Sequence, residues 1–338
     1  MNHAELHKIA KAMVAPGKGI LAADESTSTI KKRFDGIKVE STEETRRGYR
    51  ELLFTTPAMA EHISGVILYD ETLRQSTKAG VRFADALAAL GVIPGIKVDA
   101  GTKPLPGFPG ELVTEGLDGL GKRLAEYHSL GARFAKWRAV IDIGAGIPTC
   151  TCIESNAELL ARYAGLCQEA GIVPIVEPEV LMDGAHSIER CEEVTADVLE
   201  AVFDRLNAHR IYLEGIVLKP NMVISGQKAP HRATPEQVAE ATVRVLNRHV
   251  PAAVAGIAFL SGGQSETEAT LHLDLMNKKP NLPWPLTFSY GRALQQSALN
   301  AWSGDAAKIA AGQAVFKKRA HLNGLASLGK YAPALETA

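Results

Sequence analysis

Leu213-Glu214-Gly215-Ile216-Val217-Leu218-Lys219-Pro220-Asn221 is the stretch on which the fold turns. Its apolar run fits a strand buried on both faces, as in a parallel sheet covered by helices. Lys219 closes the run. An ammonium is costly to bury unpaired, and burial that favours the neutral amine makes a nucleophile. Taken alone, such a lysine reads as a side chain that keeps its head in water or in an ion pair. The other strand ends of the chain change that balance.

Working outward, strand-like runs alternate with helical patterns from one end to the other. The candidates are 19–24, 63–69, 92–98, 134–140, 172–177, 215–219, 255–260 and 285–289. Between them, Ser41-x-x-Glu44, Ser155-x-x-Glu158 and Ser265-x-x-Glu268 fit capping boxes. Thr234-Pro235-Glu236-Gln237 adds proline at the first helical position. After Ser155, the positions Leu159, Leu160, Tyr163, Leu166, Cys167 and Ala170 make one helical face, which Gly171 ends. Eight such units predict an α/β fold, a (β/α)8 TIM barrel in one domain over residues 1–338. Residues 1–18 add an N-terminal helix and loop. Residues 101–110, rich in Gly and Pro, predict a long rigid loop. The chain is helical from about 300 to about 325, and residues 326–338 are expected to form a flexible C-terminal tail.

Composition sets limits. At 46% hydrophobic and 22% charged, the chain has an ordinary globular composition. A net charge of −1 gives no general attraction for nucleic acid or anionic membrane, so no partner of either kind is expected. No apolar stretch is long enough to span a bilayer. The N-terminus lacks the apolar core of a signal peptide, so a cytoplasmic location is expected. Cys150, Cys152, Cys167 and Cys191 are expected as reduced thiols there.

Active sites of this fold form at the carboxyl ends of the strands. Those ends carry Asp24 and Glu25, then Lys97 and Asp99, then Lys136 and Arg138, then Glu177 and Glu179, then Lys219. Lys136 and Arg138 are two apart and share a strand face. So many cations at one mouth repel each other unless carboxylates or bound anions balance them. Asp24, Glu177 and Glu179 balance part, and a doubly charged substrate would balance the rest. Ser261-Gly262-Gly263 follows an apolar strand and precedes a capped helix, and Gly291-Arg292 opens the next helix. Glycine turns and helix N-termini suit phosphate, and barrels often bind it between these two loops. Arg292 offers a planar grip. No strand end carries a histidine, so no metal is expected. No Gly-x-Gly-x-x-Gly follows the first strand, which disfavours a dinucleotide cofactor.

The runs Gly19–Ser26, Ala135–Arg138, Val176–Glu179, Leu218–Val223, Phe259–Ser265 and Phe288–Leu294, in that order, resemble class I fructose-1,6-bisphosphate aldolase over residues 5–331. The resemblance implies reversible cleavage of fructose 1,6-bisphosphate to dihydroxyacetone phosphate and glyceraldehyde 3-phosphate through a Schiff base on Lys219, without a cofactor. It implies that Lys136 favours the neutral amine of Lys219, that Glu177 shuttles protons, and that Asp24 assists cleavage. Glu179 would steady the same network. Ser261, Gly262, Gly263, Gly291 and Arg292 match the C1-phosphate site. Lys97, Arg138 and Arg33 are expected toward the C6 phosphate. A homotetramer is also implied.

The chain departs from the pattern at three places. Well-studied members end in a tyrosine that reaches the site, whereas the last tyrosine here is Tyr331. Enamine protonation is therefore expected to be slower and to limit turnover. Ser28 replaces a usual glycine, and Asp142 stands where many relatives have lysine. The rivals are a Schiff-base aldolase for sugar monophosphates, a metal-dependent aldolase, and a non-enzymatic scaffold that binds sugar phosphate or a protein.

Overall fold

The computed structural model describes residues 2–337. Ten strands are β1 (Gly19–Ala23), β2 (Ile63–Leu68), β3 (Ile93–Lys97), β4 (Thr102–Pro104), β5 (Leu112–Thr114), β6 (Phe134–Ile141), β7 (Val173–Val180), β8 (Val217–Leu218), β9 (Ile257–Phe259) and β10 (Leu286–Tyr290). Eight of them close a barrel in the order β1-β10-β9-β8-β7-β6-β3-β2. Every pair in it is parallel. This is the (β/α)8 architecture expected, with helices outside. The remaining pair, β4 and β5, forms an antiparallel hairpin within and after the segment expected as a loop. Gly101 and Gly110 adopt φ of +88° and +85°, which lets the chain turn into and out of that hairpin.

The barrel sorts side chains by the two-residue period of a strand. Ala135, Trp137, Ala139 and Ile141 face outward into the layer shared with the helices. Phe134 faces inward with Ile20, Ala22, Ile67, Val173, Ile175, Val217 and Ala258. Gly95 makes room for it: a Cβ there would stand 2.2 Å from the Phe134 ring. The helix His3–Met13 joins the inner cluster through Leu6, Ile9, Ala10 and Met13, and closes the amino-terminal end of the barrel. The polar residues of the inward series therefore collect at the other end.

Several boundaries shift from those read in the sequence. The cap at 41–44 moves by one residue, because Thr42 and Thr45 cap each other at the start of Glu43–Phe54. Ser155 lies inside a helix that begins at Cys150, capped by Thr149. The caps at Ser265 and Thr234 stand where expected. β8 is short because Leu213–Gly215 form a 3-10 turn. The Lys219 amide nonetheless bonds Val176 O at 2.8 Å, so the lysine is held by the ladder. The C-terminal helix runs Ile309–Ala326 after a break at Ser303 and Gly304, both at positive φ. From 326 onward, where a flexible tail is expected, Pro333–Glu336 makes a turn. Glu336 there accepts from Arg319 at 2.8 and 2.7 Å.

Candidate active site

Continuing each inward series toward the strand's carboxyl end gives the site directly. Ile20 and Ala22 lead to Asp24, Phe134 to Lys136 and Arg138, Ile175 to Glu177 and Glu179, and Val217 to Lys219. Ladder register aligns them: Lys97 stands opposite Lys136, Arg138 opposite Glu177, and Val140 opposite Glu179. These residues line a cleft of about 1110 Å³ at the mouth. All thirteen site residues expected from the sequence are on its wall: Asp24, Arg33, Lys97, Lys136, Arg138, Glu177, Glu179, Lys219, Ser261, Gly262, Gly263, Gly291 and Arg292.

At the floor, two lysines share one carboxylate. Lys219 Nζ lies 3.1 Å from Glu177 Oε1, and Lys136 Nζ lies 3.4 Å from Glu177 Oε2. Lys136 also pairs with Asp24 at 2.8 Å. Both lysines are only 4% exposed, so these pairs act in a low dielectric. Burial disfavours the Lys136 cation, but Asp24, Glu177 and Asp99 together outweigh it and hold this ammonium well above the usual lysine range. Burial likewise disfavours the Asp24 carboxylate, and Lys136 and Lys219 outweigh it, so Asp24 sits well below the usual carboxylate range. Lys136 is thus a fixed cation between two anions. Its charge is largely spent on them, and Glu177 stands between it and Lys219. Lys136 and Lys219 thus meet through the carboxylate they share.

Two basic ends flank this floor. At one, Ser261-Gly262-Gly263 turns with Gly262 and Gly263 at φ of +25° and +67°, closed by Gln264 N donating to Ser261 O at 3.0 Å. Gly291 caps the neighbouring helix Arg292–Trp302 without any side-chain bond to its free amides. Across the barrel, Lys97 pairs with Asp99 at 2.5 Å and Arg138 pairs with Glu179. From the sequence, Arg33 is expected with Lys97 and Arg138; in the structure it lies instead beside Gly291. Its Nη2 comes within 3.6 Å of where a Gly291 Cβ would stand. The helix Thr27–Asp35 that carries it follows β1, and β1 is the barrel neighbour of β10, which leads to Gly291.

Sequence reasoning did not assign Ser26, Ser28, Thr29 and Lys32, which also line the cleft, nor Gln296 and Asn300. The hydroxyl run 26–29 directly after the first strand end was a signal for the former. Gln296 and Asn300 lie one turn apart on a helix and bond each other at 3.0 Å, a spacing with no signature of its own. Among the described residues, no group of three or more His, Cys, Asp or Glu could hold a metal ion.

Tyr331 is 3% exposed and is held away from solvent. Its hydroxyl donates to Glu336 Oε1 at 2.8 Å, and its amide donates to Asp274 at 2.9 Å.

Residues 5–338 match the family model described as Fructose-bisphosphate aldolase class-I. The "Probable fructose-bisphosphate aldolase class 1" of Xanthomonas campestris pv. campestris is 60% identical over 332 residues, 98% of this chain and 99% of its own. The "Fructose-bisphosphate aldolase 5, cytosolic" of Arabidopsis thaliana is 58% identical over 328 residues, 97% of this chain and 91% of its own. A solved structure of the Plasmodium falciparum fructose-bisphosphate aldolase, in complex with TRAP and a small-molecule inhibitor, superposes with a TM-score of 0.96 at 51% identity, covering 98% of this chain and 96% of that one. With a closed barrel, a lysine at the end of β8 and matches of this length, the chain belongs to the class I fructose-bisphosphate aldolase family.

Proposed function

We propose that Lys219 carries the family's reaction in this chain, the reversible cleavage of fructose 1,6-bisphosphate. Lys219 Nζ first passes a proton to its partner Glu177, and the neutral amine then attacks the C2 carbonyl, the proton on nitrogen moving to the carbonyl oxygen as the carbinolamine forms. Glu177, 3.1 Å from Nζ, gives a proton to the departing hydroxyl, water leaves, and a protonated imine remains. Glu177 then takes the C4 hydroxyl proton. The C3–C4 bond breaks, its electron pair passes into the imine, and glyceraldehyde 3-phosphate leaves. Protonation of the enamine at C3 and hydrolysis release dihydroxyacetone phosphate and restore Lys219. Lys136 stays charged and keeps Asp24 and Glu177 in place. Glu179 holds Arg138. The turns at Ser261–Gly263 and Gly291–Arg292 take one phosphate, and Lys97 and Arg138 take the other.

The observation that carries this reading is a buried lysine whose ion partner, Glu177, is fixed by a second lysine. Borohydride trapping with fructose 1,6-bisphosphate in EDTA, followed by peptide mass mapping, tests it. An adduct on Lys219 is expected. Cleavage abolished by EDTA, with no adduct, would mean a metal-dependent enzyme instead. A cytoplasmic location and a homotetramer belong to the same proposal. The relative named cytosolic supports the location, and among the described residues no helix is long and apolar enough to cross a membrane.

A further inference from the structure

Glu25 follows Asp24 but belongs to a different network. Its Oε1 accepts from Arg33 Nη1 and from Gln295 Nε2, the latter at 3.0 Å. Its Oε2 lies 2.9 Å from Arg50 Nη2, which also reaches the Glu25 backbone oxygen at 3.3 Å. Gln295 is fixed in turn, donating to Ala22 O at 2.7 Å and accepting from the Tyr49 hydroxyl at 3.1 Å. One carboxylate thus faces two guanidinium groups, and the cluster carries a net positive charge.

The two arginines are not equivalent. Arg50 is 2% exposed, its Nε and Nη1 have no partner, and Glu25 is its only ion partner among the described residues. It has nowhere else to go. The Arg33 side chain is 20% exposed, lines the cleft, and ends beside Gly291. Arg33 can therefore exchange its partner, and Arg50 cannot. Moving Arg33 from Glu25 to an anion would ordinarily leave a buried carboxylate bare, which is strongly unfavourable. Here Glu25 would keep Arg50 and Gln295.

We propose that Arg50 is the standing counter-ion of Glu25, and that by neutralising this carboxylate it releases Arg33 to the substrate phosphate held at Gly291 and Arg292. Arg50 touches no substrate. It is a positioning residue that sets the affinity of one phosphate end, and Glu25 and Gln295 are the rest of the device. The inference rests on the proposal that this end of the cleft takes a phosphate.

Competitive inhibition by inorganic phosphate and the KM for fructose 1,6-bisphosphate read the effect. Arg50→Met should lock Arg33 onto Glu25 and raise both constants about tenfold, because a pair shielded from water is hard to break. The double variant Arg50→Met/Glu25→Gln should return both to within about threefold of the starting enzyme, since a neutral partner no longer retains Arg33. A merely structural Arg50 predicts the opposite order: removing a second member of the network leaves the double variant as impaired as the single one, or more so. That result overturns the proposal, as does an unchanged phosphate inhibition constant in Arg50→Met. Should Arg50→Met fail to fold, Arg50→Lys keeps a cation and is expected to stay near the starting values; a tenfold rise there counts against the proposal. Arg292→Leu separates the two levels. If it leaves phosphate inhibition unchanged, this end does not take phosphate and the underlying assignment fails. If it weakens inhibition and Arg50→Met does not, only the role of Arg50 fails.

Discussion

Lys136 is bound on both sides, and this sets what its loss would do. Lys136→Met leaves Asp24 with a weaker counter-ion and frees Glu177 from one of its two lysines. A fall of about 3 kcal/mol in stability is expected for a broken buried pair. Cleavage should drop on the order of a thousandfold for a lost positioned charge. Adding Asp24→Asn should recover much of the melting temperature and none of the activity, which calorimetry beside steady-state rates would check. Equal recovery of both would mean that the cation acts only as a scaffold. The pH profile follows from Asp24. Its folded value is depressed, so its contribution to stability is present above the unfolded value of about 4 and is lost as pH falls through the folded one. At this scale the sequence was most legible. Inward alternation from Phe134 to Lys136 and from Val217 to Lys219 follows from strand geometry alone. The pairing of Glu177 with both lysines was not legible, because it depends on how β6, β7 and β8 stand side by side.

The helix Glu266–Asn277 shows how an element supports the site without entering it. His272, 5% exposed on this helix, has Nδ1 2.6 Å from Gln264 Oε1, and Gln264 closes the Ser261–Gly263 turn. Burial is the main cause that pushes His272 down to about 4, against the pull of Glu268. A depressed value means stability that is present above the unfolded value of about 6.5 and is lost as pH falls toward the folded one. A loss on the order of 3 kcal/mol is expected between those limits. Chemical denaturation across that range should show a shallower acid limb in His272→Asn, and an unchanged limb would place the loss elsewhere. The C-terminal segment is the second case. Glu336→Gln weakens the bonds to Arg319 and Tyr331, worth about 1.5–3 kcal/mol for a charged partner. Melting should fall accordingly, while the ratio of cleavage to enamine proton exchange stays put. A changed ratio would give the tail a part in the chemistry. Element starts were only partly legible. Ser265 and Thr234 cap as their sequences suggest, but Ser155 does not, because Thr149 reaches Cys152 N first and the helix is already under way. Glu336 gripping Arg319 has no local signal, since the two meet only through tertiary folding.

For the molecule as a whole, the barrel has two differently treated ends. One is open and charged, and the other is stopped by the helix His3–Met13. Met13 is fully buried there, and Val14 lies so close to the sheet that a Cβ on Gly256 would come within 2.6 Å of it. Met13→Ala should cost about 2–5 kcal/mol through the cavity it leaves. The KM should not change, since the plug is at the far end from the cleft; a large KM change would mean that the two ends communicate. Repeated strand–helix units made the barrel legible, and composition alone could not have done so. The plugging role of the first helix was not, because nothing local says which surface an amphipathic segment will cover. The circular strand order also bears on how the chain comes into being. β1 is made early, yet its partner on one side is β10, the last strand. Synthesis at about 5–20 residues per second leaves that edge waiting on the order of tens of seconds. Throughout that interval the nascent protein carries an open, apolar β-edge of the kind that recruits other chains. The ring that shelters the lysines in the finished enzyme thus leaves the half-built one with an unpaired edge until its last strand is made.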